Sequence, residues 1–115
     1  MLTTKDHYYL FAESKKGNII ALAGFIENWE GRKGHAYLRF LAIHPAYRKG
    51  GKGHLLRKEV LKILKKDGMK IVHATTWSTN TAMIRMNRKM GFAVEKVVRN
   101  ERGPGVDTVW FRKKL

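Results

Sequence analysis

The sequence contains no cysteine among its 115 residues. This absence excludes a disulfide framework and a zinc site built on thiolates. It also excludes acyl transfer through a cysteine thioester on this chain. No apolar run approaches the roughly 20 residues that a membrane-spanning helix needs, and the first residues lack the apolar centre of a signal peptide. We therefore expect a cytoplasmic protein that does not enter a membrane.

Acidic residues are also scarce, with 9 Asp and Glu against 24 Lys and Arg, for a formal net charge of +15. A net positive charge of this size favours anionic partners, which include a small molecule, an acidic protein surface and a nucleic acid. The charge alone does not distinguish among them. Part of the charge lies on the first predicted helix. We interpret the basic residues there as a solvated face: Arg57, Lys58, Lys62, Lys65 and Lys66.

The length permits one domain with one core, which we place over residues 1–115. Apolar residues make up 43% of the chain, as in ordinary folded proteins. Strand-forming segments occupy 8–12, 19–26, 35–43, 70–76, 92–99 and 106–112. Helical patterns lie between the third and fourth segments, where Leu56, Val60, Ile63 and Leu64 recur along one face, and over 80–90. The second helix is capped by Ser78 or Thr79 and ended by Gly91. The predicted class is α+β, a mixed sheet of about six strands in the order β-β-β-α-β-α-β-β with two main helices.

A glycine-rich stretch separates the third strand from the first helix, and it includes Gly50, Gly51 and Gly53. Glycines at such a turn let consecutive N–H groups point toward one anion at the helix N-terminus. A Walker loop would need Ser or Thr after Gly-Lys, and a dinucleotide fingerprint would need a third glycine where Leu56 stands. The stretch therefore predicts another kind of phosphate cradle, or a basic turn without a ligand.

Two motifs together resemble the GCN5-related N-acetyltransferase (GNAT) family. The first is Arg48-x-x-Gly51-x-Gly53, and the second is a helix that opens with Asn80 and ends in Gly91-Phe92. The resemblance extends over 8–112 and includes the order of strands and helices. It implies an enzyme, an N-acetyltransferase that uses acetyl-CoA as donor and passes the acetyl group directly to an amine in a ternary complex.

The resemblance also implies where coenzyme A binds. Backbone N–H groups would hold its diphosphate at Arg48, Lys49, Gly50, Gly51, Lys52, Gly53 and His54. In the family the third and fourth strands splay apart after a bulge, and the pantetheine arm pairs with the strand edge, here Leu41, Ala42 and Ile43. The Ala42 N–H would polarise the thioester carbonyl. Asn80 would bond the pantetheine or the strand end, unless it only caps the helix.

Two positions depart from the family pattern. Many members carry a tyrosine, often assigned as general acid, where this chain has Asn87, and an acidic residue where it has Arg39. An amide does not supply a proton near neutral pH, so we expect Asn87 only to hydrogen-bond the cofactor. The candidate bases are Glu27, His35, Tyr37 and His73, of which we select Glu27 and Tyr37. Each of them also has a purely structural interpretation.

Family members usually have a strand and two helices before the first strand predicted here. We therefore expect an acceptor side that is open or completed by another chain, as in a homodimer. An open side favours a protein acceptor over a small amine. The alternative function is a non-catalytic basic module on the same fold, which binds nucleic acid, a ribonucleoprotein or acyl-CoA.

Overall fold

The computed structural model describes residues 2–4, 6–48 and 51–115. These residues form one seven-stranded mixed sheet, in the order β1-β2-β3-β4-β5-β7-β6, and two α-helices. The strands are β1 (Leu2–Thr4), β2 (His7–Glu13), β3 (Ile19–Ile26), β4 (His35–Ile43), β5 (Ile71–Trp77), β6 (Ala93–Val98) and β7 (Thr108–Lys114). The helices are α1 (Lys52–Lys66) and α2 (Thr81–Lys89). Neither helix has the length and apolarity needed to cross a membrane.

The predicted class and element order are confirmed, with one addition. Strand β1 pairs antiparallel with β2 and was not predicted, because three residues are too few to show an alternating pattern. Strands β2, β3 and β4 form the expected antiparallel meander. Strand β5 runs parallel to β4, as expected for a crossover through α1.

Both helices cover the same face of the sheet. Helix α1 joins β4 to its parallel neighbour β5, and α2 joins β5 to β6, which also runs parallel to β5 because both are antiparallel to β7. Two right-handed crossovers in one direction place their helices on one side. We call this side the helix face and the other side the open face. The open face is overlaid by the short 3-10 turn Trp29–Gly31, whose Trp29 ring stacks on Tyr37, and by Arg102 of the β6–β7 loop, which lies over the Trp77 ring.

Apolar side chains of α1 fix the helix against the sheet. Leu56, Val60 and Leu64 are buried on it and join a core that includes the fully buried rings of Phe25 and Phe111. The predicted stripe is therefore confirmed.

The cap of α2 is Asn80, the alternative weighed for that residue, and neither Ser78 nor Thr79. Asn80 accepts a hydrogen bond from the Met83 N–H through Oδ1 at 3.1 Å, whereas the Ser78 hydroxyl accepts one from the Asp107 N–H at 2.9 Å. Ser78 lies in the loop between β5 and α2, and its hydroxyl is bonded to Asp107, the residue before β7. The hydroxyl is therefore not free to cap the helix.

Candidate active site

The sheet divides where β4 and β5 separate. Their parallel ladder ends with Leu38 opposite Ala74, although both strands continue. The register of β3 against β4 shifts between Gly24 and Phe25, which leaves Arg39 as an extra residue in β4. A bulge of this kind bends its strand and strengthens the local twist. We call the resulting opening between the two strands the fork.

The fork contains a cavity of about 620 Å³. Small-molecule sites in proteins commonly measure 300–1,000 Å³, so an extended ligand fits here. Beyond Leu38, the edge of β4 that faces the fork has no strand partner among the described residues. Such an edge is suited to an extended ligand that adds itself as a strand. The side chains that line the cavity include Tyr37, Arg39, Thr75, Trp77, Asn80 and Arg102.

The predicted pairing segment lies on this free edge. Leu41, Ala42 and Ile43 pair on their other side with β3. The His44 N–H donates to the Ile20 carbonyl, so Ile43 and, by alternation, Leu41 turn their backbone groups toward the fork, whereas Ala42 exchanges its backbone bonds with Leu22. The bulge decides which way their side chains point. Leu41 and Ile43 are half-buried and pack against the core, whereas the small Ala42 side chain is exposed. The structure thus brings Leu41 and Ile43 to the expected place, whereas the prediction of Ala42 as a backbone donor to the ligand is wrong, because its N–H is bonded within the β3–β4 ladder.

The glycine stretch meets the fork at the start of α1. Gly51 caps the helix in a left-handed conformation with φ 74°, and an added Cβ would meet nothing within 4 Å. A Cβ on Gly53 would lie 3.5 Å from the Leu41 side chain and 3.7 Å from that of Ile43. The first intrahelical bond runs from the Leu55 N–H to the Gly51 carbonyl, so the preceding amides have no partner inside the helix.

These amides fit the diphosphate that the sequence predicted. The N–H groups of Lys52, Gly53 and His54 lie at the positive end of the helix dipole. Gly51 and Gly53 have no side chain that would crowd an anion at this end. Arg48 lies before them and ties its turn to β4 by donating from Nε to the Ile43 carbonyl at 3.2 Å. The predicted contacts at Lys49 and Gly50 lie outside the described residues.

Tyr37 lies on the open face beside the fork. Its hydroxyl is 2.7 Å from the Thr75 hydroxyl, across the last part of the β4–β5 ladder. Its ring stacks on that of Trp29 at 4.9 Å between centroids, and Trp110 lies 6.0 Å away. Sequence reasoning missed Trp29 and Thr75, because a turn residue and a strand threonine give no sign of their partner. The predicted Tyr37 is therefore at the cavity and is held by two neighbours.

Two of the candidate bases, His35 and His73, form a pair beside the rings of Tyr37 and Trp29. His35 Nδ1 lies 2.9 Å from His73 Nε2, and His73 Nδ1 lies 3.6 Å from the Glu95 carboxylate. Burial lowers the pKa of His73, and burial together with Arg32 lowers the pKa of His35. Both rings are consequently neutral at physiological pH. His73 is 2% exposed, so its contacts within the sheet account for its position.

Glu27 does not join the fork. Ile26 pairs with Tyr37 and Leu22 with Ala42, so Glu27 is five residues along β3 from the level of Ala42, or roughly 16 Å. Its side chain is 6% exposed near the end of α1, where burial and the carboxyl of Asp67 raise the pKa of Glu27 to about 7. The pKa suits a base, but the position does not, and we do not assign Glu27 to the chemistry.

Helix α2 contributes two predicted residues in different ways. Asn80 lines the fork cavity, but its oxygen is engaged in capping the helix. Asn87 is 1% exposed, and its Oδ1 accepts a hydrogen bond from Arg57 Nη1 at 2.9 Å. The interpretation of Arg57 as a solvated residue is wrong, since it is only 5% exposed. Arg57 lies on the same helical stripe as Val60 and Leu64, and that spacing was the signal for its burial.

Comparison with known proteins agrees with this geometry. The protein yncA from Salmonella typhimurium, solved with its cofactor acetyl-CoA, superposes with a TM-score of 0.81 at 23% identity, covering 95% of this chain and 65% of its own. A GCN5-related N-acetyltransferase from Kribbella flavida gives a TM-score of 0.86 at 18% identity, with 100% of this chain and 71% of that one covered.

A third structure is the ribosomal-protein-S18-alanine N-acetyltransferase from Escherichia coli, with a TM-score of 0.85 at 20% identity over 97% of this chain and 71% of that one. At these identities the likeness shows a shared fold. The family itself follows from the sequence, because a model of the acetyltransferase (GNAT) family matches residues 2–92. The chain belongs to the GNAT family of N-acetyltransferases.

Proposed function

We propose that this acetyltransferase takes an acetyl group from acetyl-CoA and transfers it directly to an amine of a protein acceptor. The observation that carries the proposal is the fork, a cavity of about 620 Å³ beside an unpaired strand edge that opens onto the open face. When bound, the donor supplies the acetyl group as an activated thioester. Direct transfer agrees with a chain that has no cysteine to carry the group.

The donor is held mainly by backbone groups in this proposal. Leu41 and Ile43 offer the free edge of β4 to the pantetheine arm, and the first amides of α1 receive the diphosphate. The N–H groups that face the fork are those of Leu41 and Ile43, and one of them, rather than the Ala42 N–H, donates to the acetyl carbonyl oxygen, where negative charge develops as the amine attacks. A fixed donor of this kind commonly contributes a factor of about 10² to 10³ in kcat.

Tyr37 serves the acceptor side. Thr75 and Trp29 hold its hydroxyl at the cavity, where it accepts a hydrogen bond from the incoming amine and directs the nitrogen lone pair toward the acetyl carbon. As the C–N bond forms, the C–S bond of the thioester breaks and its electron pair leaves on the coenzyme A sulfur, which takes a proton from solvent. The proton that the amine loses passes to solvent. Orientation of this sort accounts for a large part of many enzymatic rate enhancements.

A protein acceptor agrees with the surface around the cavity. The open face offers exposed or half-buried side chains such as Phe40 and Trp77 rather than an enclosed pocket. The net charge of +15 attracts an acidic protein, or one bound to nucleic acid, and speeds their encounter. The similar protein from Escherichia coli is named for acetylation of an alanine on a ribosomal protein. A protein α-amine is thus the acceptor we favour.

The test compares acceptors with labelled acetyl-CoA. We expect faster transfer to an acidic peptide with a free N-terminal alanine than to a neutral peptide or to spermidine, and a lower rate at physiological than at low ionic strength. The same acidic peptide with a blocked N-terminus is the control. Efficient, salt-insensitive acetylation of spermidine would contradict a protein acceptor and would indicate that a second copy of the chain closes the cavity.

A second candidate function is nucleic-acid binding on the helix face. A groove of about 560 Å³ runs between α1, the end of α2 and the end of β7. Among the described residues, the one acidic side chain paired with a lysine of this groove is Glu59, which lies 3.2 Å from Lys62. A row of ammonium groups around a groove matches a phosphate backbone. The lysines that line it are Lys58, Lys62, Lys65, Lys89, Lys113 and Lys114.

Salt dependence tests this second function. We expect a short single-stranded RNA to bind with an affinity that falls steeply with salt, by a log–log slope of about 0.7 per phosphate contact. Replacing Lys58, Lys65 and Lys114 with Gln should reduce the slope by about 2. Replacement of Lys15 and Lys16 in the exposed turn after β2 is the matched control. Equal slopes in all variants would exclude the groove as a nucleic-acid site.

A further inference from the structure

Two arginines line the fork cavity, one from each side of the opening. Arg39 is the extra residue of β4 at the bulge, and Arg102 belongs to the loop between β6 and β7, where it lies over the ring of Trp77 on β5. Among the described residues, no Asp or Glu lines this cavity. The space that receives the acceptor amine in the proposed function is therefore positively charged.

Neutral groups hold both guanidinium groups in place. Arg39 Nη1 donates to the Tyr9 hydroxyl at 2.9 Å, and the guanidinium carbon lies 6.0 Å from the centre of the same ring. Arg102 Nε donates to the Thr108 hydroxyl at 3.0 Å, and its guanidinium carbon lies 5.8 Å from the centre of the Trp77 ring. Aromatic rings attract a guanidinium and orient its plane, but they do not neutralise its charge.

Most of the donors on these two arginines are available to a ligand. A guanidinium carries five N–H donors in a fixed planar arrangement, and each of the two uses one of them in a side-chain hydrogen bond. Within the described part of the chain, neither arginine forms an ion pair with a carboxylate. Two parallel N–H groups of a guanidinium match the two oxygens of a carboxylate. The cavity is thus suited to an acceptor that carries a carboxylate.

The charge of the cavity also discriminates among amines. An amine with an ordinary pKa is largely protonated near neutral pH, and an ammonium group that approaches two guanidinium groups is repelled. A polyamine meets this repulsion at each of its nitrogen atoms. An amine with a carboxylate close by brings a compensating negative charge, so it enters the cavity at a lower cost.

The position of Arg39 sets how far the carboxylate can be from the amine. Tyr37, which directs the amine in the proposed function, precedes Arg39 by two residues of β4, or roughly 7 Å. An extended peptide spans about 3.3 Å per residue. When the terminal amine of a peptide lies at Tyr37, the side chain of its second or third residue therefore reaches Arg39.

We infer that Arg39 and Arg102 bind a carboxylate that the acceptor carries on its second or third residue. This inference rests on the proposed function, and it names the feature of a protein acceptor that the cavity selects. The two guanidinium groups hold that carboxylate between the sides of the fork, and the contact keeps the terminal amine at Tyr37. Selection by this contact acts on binding of the acceptor, so it changes KM more than kcat.

Two peptides of the same composition separate this local contact from a general attraction by net charge. Both begin with alanine and contain one glutamate and one glutamine, with the glutamate in the second position of one peptide and in the eighth position of the other. We expect the first peptide to have about a fivefold higher kcat/KM, mainly through a lower KM, as suits an exposed ion pair of good geometry. Attraction by net charge alone would give the two peptides equal values.

Substitutions assign the preference to the two arginines. Arg39→Gln and Arg102→Gln should each reduce it, and the double variant should abolish it. Arg112→Gln is the matched control, because it removes the same charge from an exposed position of β7 that does not line the cavity. Both cavity arginines are exposed, so we expect the variants to fold, as circular dichroism can verify.

Equal kcat/KM for the two peptides in the unmodified protein would overturn the inference, and so would a preference that survives in the double variant. Faster acetylation of free alanine than of either peptide would also overturn it, since the arginines would then bind the α-carboxylate of a small acceptor. Failure of the unmodified protein to acetylate any peptide would instead refute the proposed function.

Discussion

The helix face and the open face of the sheet are built on different principles. On the helix face, Phe25, Phe111 and Leu64 are completely buried, and the glycine stretch and both helix starts meet the fork. On the open face, Trp77 is 52% exposed and Phe40 is 37% exposed. In the proposed function, the donor site uses backbone groups that a packed scaffold holds in place, whereas the acceptor site uses side chains at a surface.

If the proposed sites are correct, this difference lets one fold combine a fixed donor with varied acceptors. Backbone amides at α1 and along β4 do not change when side chains do, so the donor site persists through sequence change. Side chains such as Tyr37 and Trp29 are free to change with the acceptor. The four substitutions that follow test whether the two faces separate in this way.

The largest effect is expected on the helix face, from Gly53→Val. Even the Cβ would contact Leu41 and Ile43, and the methyl groups of valine would occupy the space beside the first amides of α1. We expect coenzyme A affinity to fall at least 1,000-fold, about 4 kcal/mol, in a domain that still folds. Calorimetry and circular dichroism measure the two quantities. Ala82→Val, at an exposed position of α2, is the control, and unchanged affinity in Gly53→Val would place the diphosphate elsewhere.

Glu27→Gln tests the far end of the helix face, away from the fork. The pKa of Glu27 rises from 4.5 to about 7 in the folded state, so folding takes up a proton between these values. Glu27 therefore stabilises the fold below pH 4.5, and that contribution disappears as the pH rises through 7. We expect the free energy of unfolding to fall by about 2 kcal/mol more in the parent than in Glu27→Gln between pH 4.5 and 8.

Chemical denaturation at several pH values measures this difference. Glu13→Gln, at an exposed glutamate that ends β2, is the matched control and should follow the parent. Acetyl transfer by Glu27→Gln should keep its rate, because the carboxyl lies far from the fork. A large loss of kcat would restore Glu27 as the base.

Tyr37→Phe tests the open face. The change removes the hydroxyl that lies 2.7 Å from Thr75 and leaves the ring stacked on Trp29. We expect kcat on a peptide acceptor to fall about tenfold, or about 1.4 kcal/mol, with coenzyme A affinity unchanged. Tyr9→Phe, which removes the open-face hydroxyl bonded to Arg39, is the control. A parallel loss of coenzyme A affinity would show that the two faces are not separate.

The smallest effect is expected from Gly24→Ala, at the bulge. The new Cβ would lie 2.6 Å from the outer part of the Phe40 ring, which must move. Because that ring is on the open face and partly exposed, it moves at low cost, and we expect a loss of less than about 1 kcal/mol in unfolding free energy. The loss should disappear when Phe40→Ala is combined with it. A loss of several kcal/mol would show that the open face is packed as rigidly as the helix face.

Most of the fold was predictable because its signals are local. Strand β3 was predicted with its observed bounds, and the stripe of Leu56, Val60 and Leu64 located α1. Gly51 and Gly53 at the start of α1 located the candidate donor site for the same reason. Backbone freedom and helix ends depend on residues that are neighbours in sequence.

The acceptor side was less predictable, because it depends on contacts between distant segments. Trp29 meets Tyr37 only after a turn folds over the sheet, and His35 meets His73 across 38 positions of sequence. Arg57 was misjudged because its charge outweighed its position on an apolar stripe. The placement of Glu27 needed the register of β3 against β4, which no local pattern gives.

The extra residue at Arg39 also constrains how this chain can evolve. Deleting Arg39 would remove the bulge and leave the pairing with β3 regular, with Leu41 and Ile43 still turned toward the core and Ala42 outward. Such a deletion would keep the core but remove the bend that accompanies the fork, so it should cost more activity than a substitution at the same position. The turn between β2 and β3 has no such restriction, since loops at the surface accept changes in length. Related chains can thus differ in the residues along the fork, whereas we expect the length of β4 to stay the same.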